Sequence, residues 1–249
     1  MGKTCAIDAD SLIYIHSWKN KESNNLDDYL ATIDEHIRSI IDESGCDSYL
    51  SFITNAPNNI RKKYAIRKEY KGNRKLSSKP KFFYELRNHL VSTWHSAWHP
   101  ELEADDLCLI AYTLLGRDNT VIASPDKDLR QVPGFFYDYK NNTKLVITEE
   151  QAEINLWTQV LTGDSTDNIG GLSGVGSKTA EKIIGDESSR EALSRIVLAE
   201  YISRLGLQAG IEQFNETFQL VYIRREWPDI DNIEPYSYTP YIEVTDDEF

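Results

Sequence analysis

Cysteine, methionine and long apolar runs are all scarce in this chain of 249 residues, which has three cysteines and one methionine. Cys5, Cys46 and Cys108 lie far apart, each in or beside an apolar run, so they form neither a disulfide framework nor the Cys-x-x-Cys pairs of a zinc site. We expect three buried, reduced thiols in a cytoplasmic protein. No apolar stretch approaches the roughly 18 residues that a membrane-spanning helix needs, so no membrane association is expected.

Positive charge is also in deficit, because the formal net charge is -13. Such a balance argues at first against a nucleic-acid partner, since phosphate contacts need lysine and arginine. However, residues 57–81 hold ten basic residues and one acid, a local charge of +9 that leaves -22 on the rest of the chain. This basic segment is either a solvated helical face or an arch facing nucleic acid. Tyr64, Tyr70 and Asn73, which could contact bases or phosphates, favour the arch.

Short apolar segments alternate with amphipathic segments over the first two thirds of the chain. This alternation predicts an α/β fold with a mainly parallel sheet flanked by helices. From Asn168 onward only helical patterns occur, so a smaller helical region should follow. The predicted strands are 3–9, 48–54, 119–126 and 134–139, and the predicted helices include 26–44, 80–91, 102–116, 148–163, 190–206 and 211–225.

Carboxylates cluster where these predicted elements begin or end. Sites in open α/β sheets form beyond the carboxyl ends of the strands, where the first and third clusters fall. Converging carboxylates repel one another and need cations to stay ionised, and oxygen ligands without His or Cys favour Mg²⁺ or Mn²⁺. Two such ions can activate water against a phosphodiester. The clusters are Asp8 with Asp10, Glu103 with Asp105 and Asp106, Asp126 with Asp128, and Asp164 with Asp167.

A glycine-rich turn, "GGLSGVGSKTAEKII", follows the last pair of carboxylates and leads into a predicted helix. Small residues at such a turn let backbone N–H groups approach a phosphate at the positive end of the helix, and Lys178 adds a charge. The turn could equally be a packing connection between helices. Its position directly after "GDSTDN" favours a DNA-backbone clamp of the helix-hairpin-helix type.

Five motifs in one order, "IDADSL", "YKGNR", "ELEADD", "SPDKDL" and "GDSTDNIGGLSGVGSKTA", resemble the 5′-nuclease superfamily of flap endonucleases and 5′→3′ exonucleases. The chain is most similar in pattern to the stand-alone bacteriophage enzymes, which would place it in the host cytoplasm. The resemblance implies a PIN-like α/β core (1–165) with a basic helical arch (57–81), a helical DNA-clamp region (166–227) and an acidic tail (228–249).

The resemblance also implies roles for individual residues. Lys71, Asp8, Asp126 and Asp128 would be catalytic, and Lys71 would contact the scissile phosphate. Two Mg²⁺ or Mn²⁺ ions would be held by Asp8, Glu103, Asp105, Asp106, Asp126, Asp128, Asp164 and Asp167. The DNA-binding residues would be Arg67, Arg74, Gly174, Gly176 and Lys178, and the clamp could also hold K⁺. The substrate would be DNA with a 5′ end, a 5′ flap or an RNA/DNA hybrid, bound by a monomer.

One position departs from the family pattern, because Asn55 stands where an aspartate normally ends the second strand. An amide oxygen brings no charge, so metal affinity should fall there unless Asp10 compensates. Asp10 could also be a capping residue. If Asn55 makes the site inactive, the chain would be a non-catalytic DNA-structure binder. A PIN-type RNA endonuclease is a second alternative.

The last 22 residues contain seven acids and no base, which predicts a disordered, solubilising tail. Its end, "DDEF", resembles acidic tips that dock on replication partners. We therefore expect either partner docking or occupation of the basic arch by this tail.

Overall fold

The computed structural model describes residues 2–19, 21–76 and 79–238. Its main sheet has six strands in the order β5-β4-β3-β1-β2-β8, and a separate two-stranded sheet pairs β6 with β7. The strands are β1 Thr4–Asp8, β2 Ser48–Phe52, β3 Thr120–Ala123, β4 Gly134–Asp138, β5 Thr143–Ile147, β6 Gly163–Asp164, β7 Ile169–Gly170 and β8 Tyr236–Ser237. The helices are α1 Asp10–Lys19, α2 Leu26–Ser44, α3 Arg61–Tyr64, α4 Phe83–Thr93, α5 Ala104–Leu115, α6 Glu149–Thr162, α7 Ser177–Ile184, α8 Arg190–Leu205 and α9 Leu207–Val221.

The sheet is mainly parallel, as the sequence predicts. Strand β1 pairs in parallel with β2 and β3, and β3 pairs in parallel with β4, whereas β5 and β8 are antiparallel edge strands. The sequence patterns did not predict these two edge strands or helix α1. Strand β5 is largely exposed and β8 spans two residues, so neither has the apolar run that marks a buried strand.

Helices cover both faces of the sheet. The alternation of side chains along β1 sends Cys5 and Ile7 into the apolar cluster beneath α1, α2 and α4, and sends Ala6 into the cluster beneath α5. All three cysteines are buried and unpaired, as predicted. No helix in the described part of the chain is long and apolar enough to cross a bilayer.

A third apolar cluster joins α6 to α7, α8 and α9. Leu156, Val160 and Leu161 of α6 belong to it, because α6 turns its apolar face toward the following helices. Because Ala152 of α6 packs in the cluster beneath α5, α6 connects the sheet with the helical region, and the boundary at residue 166 stays a prediction.

The first part of the expected tail, residues 228–238, contacts the rest of the protein. Strand β8 pairs with β2, and the ring of Tyr236 stacks on His95 with centroids 4.5 Å apart. Residues 228–238 therefore pack against the body, because tyrosine rings alternating with small residues suit a sheet edge better than solvent. The remaining part of the predicted tail, including "DDEF", lies outside the described residues.

The described residues of the basic segment form two short helical turns, α3 and a 3-10 turn at Gly72–Leu76. Its side chains divide into two groups. Lys62, Lys63 and Lys68 are exposed, whereas Arg61 is buried and Lys71 contacts acidic side chains. Part of the positive charge therefore serves internal contacts.

Candidate active site

The carboxyl ends of β1 and β3 bring the first and third acidic clusters together. Ile7 is in register with Ala123, so the residues that follow both strands emerge at the same edge of the sheet. The Ser124 hydroxyl donates to Asp8 Oδ2 at 2.9 Å and accepts from the backbone N–H of Asp126 at 3.0 Å. Ser124 thus fixes both strand-end aspartates relative to each other.

A cavity of about 950 Å³ opens at this edge of the sheet. Residues from the strand ends, from the start of α5 and from the β6–β7 hairpin all reach it. Carboxylates that are widely separated in sequence therefore surround one volume. Those that line it are Asp8, Asp10, Glu103, Asp105, Asp126, Asp128, Asp164 and Asp167.

Asp10 lies in this cavity at the start of α1. Its Oδ1 accepts from the backbone N–H of Thr54 at 2.9 Å, just beyond β2. Asn55, by contrast, is exposed and does not line the cavity. The carboxylate near the end of β2 is therefore supplied by Asp10, from the neighbouring strand connection.

Several of these carboxylates lack a cationic partner that would keep them ionised. Burial, reinforced by the charge of Asp10, raises the pKa of Asp8 to about 7. Burial and the charges of Asp126 and Asp164 raise the pKa of Asp128 to about 7. Burial and Asp106 also raise the pKa of Asp105 well above its usual range. This side of the cavity holds more negative charge than the protein neutralises.

On the other side of the cavity, cations from the basic segment neutralise the carboxylates. Lys71 Nζ lies 2.7 Å from Glu103 Oε1 and 3.5 Å from Asp167 Oδ2. The Tyr70 hydroxyl lies 2.9 Å from both Glu103 Oε2 and Asp167 Oδ2, and Arg74 also pairs with Asp167. Burial opposes ionisation of Glu103, but the charges of Lys71 and Arg61 outweigh it and lower the Glu103 pKa. Lys71 therefore stands among the acids on this side of the cavity.

Asp106 does not line the cavity, and its assignment as a metal ligand stays a prediction. Its oxygens accept from Arg61 Nη1 at 2.6 Å and Nη2 at 2.8 Å, and from the backbone N–H groups of Glu103 and Arg224. With its side chain 0% exposed, it has no oxygen directed at the cavity. The sequence pattern missed this pair, because Arg61 belongs to the basic segment that was assigned to solvent and DNA.

The cavity fits divalent cations in charge and in donor chemistry. Its donors are carboxylate oxygens, the ligands that Mg²⁺ and Mn²⁺ prefer, and cations would offset the repulsion that raises the pKa values of Asp8 and Asp128. Within residues 2–19, 21–76 and 79–238, no three Asp, Glu, His or Cys side chains are already grouped to hold a metal ion. Lys71 and Arg74 explain part of this, because they occupy the oxygens of Glu103 and Asp167.

Comparison with known proteins finds similarity to phage exonucleases. No family model matches the chain. The exonuclease of Escherichia phage T7 is 31% identical over 132 residues, which cover 50% of this chain and 43% of that protein, so less than half of the relative's length is matched. The D15 protein of phage T5, solved with metal ions, superposes with a TM-score of 0.63 at 18% identity, covering 88% of this chain and 86% of that one. A pseudo-enzyme–product complex of the phage T5 D15 flap endonuclease with DNA and metal ions gives a TM-score of 0.59 at 17% identity, with coverage of 88% and 99%.

This chain has the 5′-nuclease fold. The resemblance drawn from the five motifs is thereby confirmed, and the similarity to phage exonucleases agrees with it.

In this 5′-nuclease fold the glycines of the predicted clamp divide into two kinds. A Cβ on Gly171 would lie 2.2 Å from Thr162 C and 2.4 Å from Gly163 N, so Gly171 is required by the close approach of α6 and the β6–β7 hairpin. Nothing lies within 4 Å of a Cβ at Gly174 or Gly176. Gly176 precedes α7, whose N-terminus has no side-chain cap, and Ser177 lines the cavity. An open, uncapped helix start therefore adjoins the acidic cavity.

The remaining predicted DNA-binding residues occupy different surroundings. Lys178 is exposed on α7. Arg67 is partly exposed and pairs with Glu216 at 3.2 Å, and Arg74 lines the cavity beside Asp167. Sequence reasoning named Tyr70 only as a possible contact to bases or phosphates and did not find Ser124, and both side chains connect the acids. A tyrosine or serine in a loop gives no pattern that separates it from an ordinary surface residue.

Proposed function

We propose that this protein is a metal-dependent 5′-nuclease, a 5′→3′ exonuclease and structure-specific 5′-flap endonuclease that hydrolyses DNA phosphodiesters. The observation that carries the proposal is the convergence of eight carboxylates on one cavity of about 950 Å³. The 5′-nuclease fold supports it, as do the names of the similar phage proteins. RNA/DNA hybrids are included in the proposed substrate class.

Two Mg²⁺ or Mn²⁺ ions are the proposed cofactors. Asp8, Asp10, Asp126, Asp128 and Asp164 would hold them on one side of the cavity, and Glu103, Asp105 and Asp167 on the side near Lys71. When bound, such ions lower the pKa of a coordinated water and stabilise charge on phosphate oxygens. Asp106 would instead hold Arg61 and the start of α5 in place.

Lys71 is the proposed phosphate-binding residue of the reaction. Its ammonium bridges Glu103 and Asp167. Burial opposes the charge of Lys71, but the charges of these two carboxylates raise its pKa, so the side chain stays protonated. When those carboxylates are neutralised by cations, the ammonium becomes available to a phosphate oxygen, where it stabilises negative charge that develops during hydrolysis. Arg74 would guide the strand beside it.

The start of α7 is the proposed clamp for the duplex. Gly174 and Gly176 leave room for a phosphate near the backbone, Lys178 adds charge, and a K⁺ ion could bind at the same turn. Arg67 would contact the backbone nearby. Because Ser177 also lines the acidic cavity, a clamped duplex would present its end to the carboxylates.

The proposed activity is tested with a panel of labelled substrates. We expect cleavage of duplex, 5′-flap and RNA/DNA hybrid substrates in Mg²⁺ or Mn²⁺ and none in EDTA. Comparing 5′-labelled with 3′-labelled strands gives the polarity and separates exonuclease products from released flaps. Tight binding without cleavage in either metal would refute the nuclease and leave a DNA-structure binder.

Metal binding should stabilise the protein more at pH 8 than at pH 6. Asp8 and Asp128, with pKa values raised to about 7, hold protons at pH 6 that compete with the metal, and lose them by pH 8. The measurement is the shift in Tm between EDTA and Mn²⁺ at each pH, at matched ionic strength. Taking this difference removes contributions from groups outside the cavity. An equal or larger shift at pH 6 would contradict the assignment of these carboxylates as ligands.

The acidic end of the chain keeps its predicted role as a docking segment for replication partners, and the active form is proposed to be a monomer. Deleting residues 243–249 should then change activity, its salt dependence or partner binding. No change in any of the three would remove that role.

A further inference from the structure

A second surface of the cavity is formed by α1 and α4, away from the acidic strand ends. Asp10 and Tyr14 are four residues apart on α1, and Phe83 and Arg87 are four apart on α4, so each helix presents one pair on one face. All four line the cavity, together with Lys79, whose Nζ lies 4.2 Å from the centroid of the Phe83 ring. We call Tyr14, Lys79, Phe83 and Arg87 the α1–α4 wall.

Arg87 is the member of this wall with a buried donor that lacks a hydrogen-bond partner, although its charge opposes the burial that raises the pKa of Asp10. Its Nη2 is buried and has no hydrogen-bond partner, and no ion pair to Arg87 occurs among the described residues. The two other buried side-chain atoms without partners in the described part of the chain belong to His16 and Arg225, which do not line the cavity. A buried guanidinium donor without a partner costs free energy, so its position calls for a ligand.

The chemistry of that ligand follows from the cavity. Guanidinium groups bind phosphate through paired N–H donors, and Lys79 adds a second charge on the same wall. Lys71 and Arg74 already form ion pairs with Glu103 and Asp167, so an incoming phosphate would have to displace those pairs, whereas Arg87 Nη2 has no hydrogen-bond partner to displace.

We propose that Arg87 binds a backbone phosphate of the substrate strand, next to the phosphate that Lys71 contacts. This inference rests on the proposed nuclease function and deepens it. The strand would enter between the α1–α4 wall and the basic segment, and Arg87 would set its register against the carboxylates. Arg87 would thus bind substrate in addition to favouring the charge of Asp10.

The test compares Arg87→Gln and Arg87→Lys with wild type and with Arg38→Gln. Arg38 is exposed on α2 and does not line the cavity, so its replacement removes the same charge elsewhere. Binding of a labelled 5′-flap DNA is measured in EDTA over a range of salt concentrations. Cleavage of the same DNA is measured in Mn²⁺, and the Tm of each protein is measured without DNA.

Arg87→Gln should weaken flap binding and raise KM, each by roughly tenfold to a hundredfold, because this is the usual effect of losing one hydrogen bond to a charged group. The slope of the logarithm of the binding constant against the logarithm of the salt concentration should become shallower by about one, which corresponds to the loss of one phosphate contact. Arg87→Lys should recover part of the binding, Arg38→Gln should behave as wild type, and Tm of Arg87→Gln should not fall.

Wild-type affinity, KM and salt slope in Arg87→Gln would overturn the proposal. A lower Tm with an unchanged salt slope would also overturn it, because that result would mean that Arg87 stabilises the acidic side chains and does not bind DNA. Failure of the proposed function is seen separately, as wild type that binds the flap DNA in EDTA but does not cleave it in Mn²⁺.

Discussion

Asp8→Asn will abolish cleavage and at the same time stabilise the metal-free protein. Loss of this carboxylate removes a strand-end ligand, and we expect cleavage to fall by roughly 10³-fold or more. Asparagine is isosteric and can still accept from the backbone N–H of Asp10, 3.2 Å away in the wild type. The rate in Mg²⁺ and the Tm in EDTA are the two measurements.

The stability gain has a definite sign and pH window. Burial and Asp10 raise the folded-state pKa of Asp8 from 3.8 to about 7, so the folded protein holds a proton that the unfolded chain releases. The contribution of Asp8 to stability is therefore present below about pH 4 and lost as the pH rises through 7. Asp8→Asn should gain on the order of 2 kcal/mol at pH 8 and little at pH 4. A variant that is less stable than wild type at pH 8 would contradict the charge balance of the cavity.

Arg61→Met will destabilise the protein by roughly 3–5 kcal/mol, because it leaves Asp106 buried without its cation. The Arg61 side chain is 3% exposed and its partner Asp106 is 0% exposed, so solvent cannot replace the lost interaction. Chemical denaturation of the metal-free protein measures the change. Lys63→Met is the matched control, since the exposed Lys63–Glu101 pair should contribute less than about 1 kcal/mol.

The double variant Arg61→Met/Asp106→Asn tests whether the loss of stability in Arg61→Met comes from the buried, unpaired charge of Asp106. It should be more stable than Arg61→Met alone, since the buried charge is gone, with a coupling of about 1 kcal/mol or more. Asp106→Asn should also leave Mn²⁺ affinity near wild type. If Arg61→Met were nearly neutral and Asp106→Asn weakened Mn²⁺ binding, Asp106 would be a ligand after all.

The sequence predicted the parts of the site that depend on local order along the chain. Asp8 and Asp126 follow apolar strands, and parallel strands bring their carboxyl ends to one edge, so their convergence follows from topology. Helix α2 was predicted with its observed bounds because Ile33, Ile37, Ile40 and Ile41 repeat with helical spacing.

The sequence could not predict contacts between distant segments. Arg61 and Asp106 are 45 residues apart, and nothing in either motif indicates that they pair. The sequence left Asp10 as either a capping residue or a metal ligand. The hydrogen bond from the backbone N–H of Thr54 to Asp10 Oδ1 places its carboxylate beside the end of β2. Gly171 looked like part of a phosphate turn, but its lack of a side chain serves the contact with Thr162.

The most direct test of the central claim compares wild type with Asp126→Asn on one 5′-flap DNA, in Mn²⁺ and in EDTA. Asp126 lines the cavity, and its carboxylate accepts from the backbone N–H of Asp128 at 2.9 Å, a contact that asparagine preserves. We predict products only from wild type with Mn²⁺, with equal DNA binding by both proteins in EDTA. Cleavage by Asp126→Asn at the wild-type rate, or cleavage by wild type in EDTA, would contradict a metal-dependent nuclease site in this cavity.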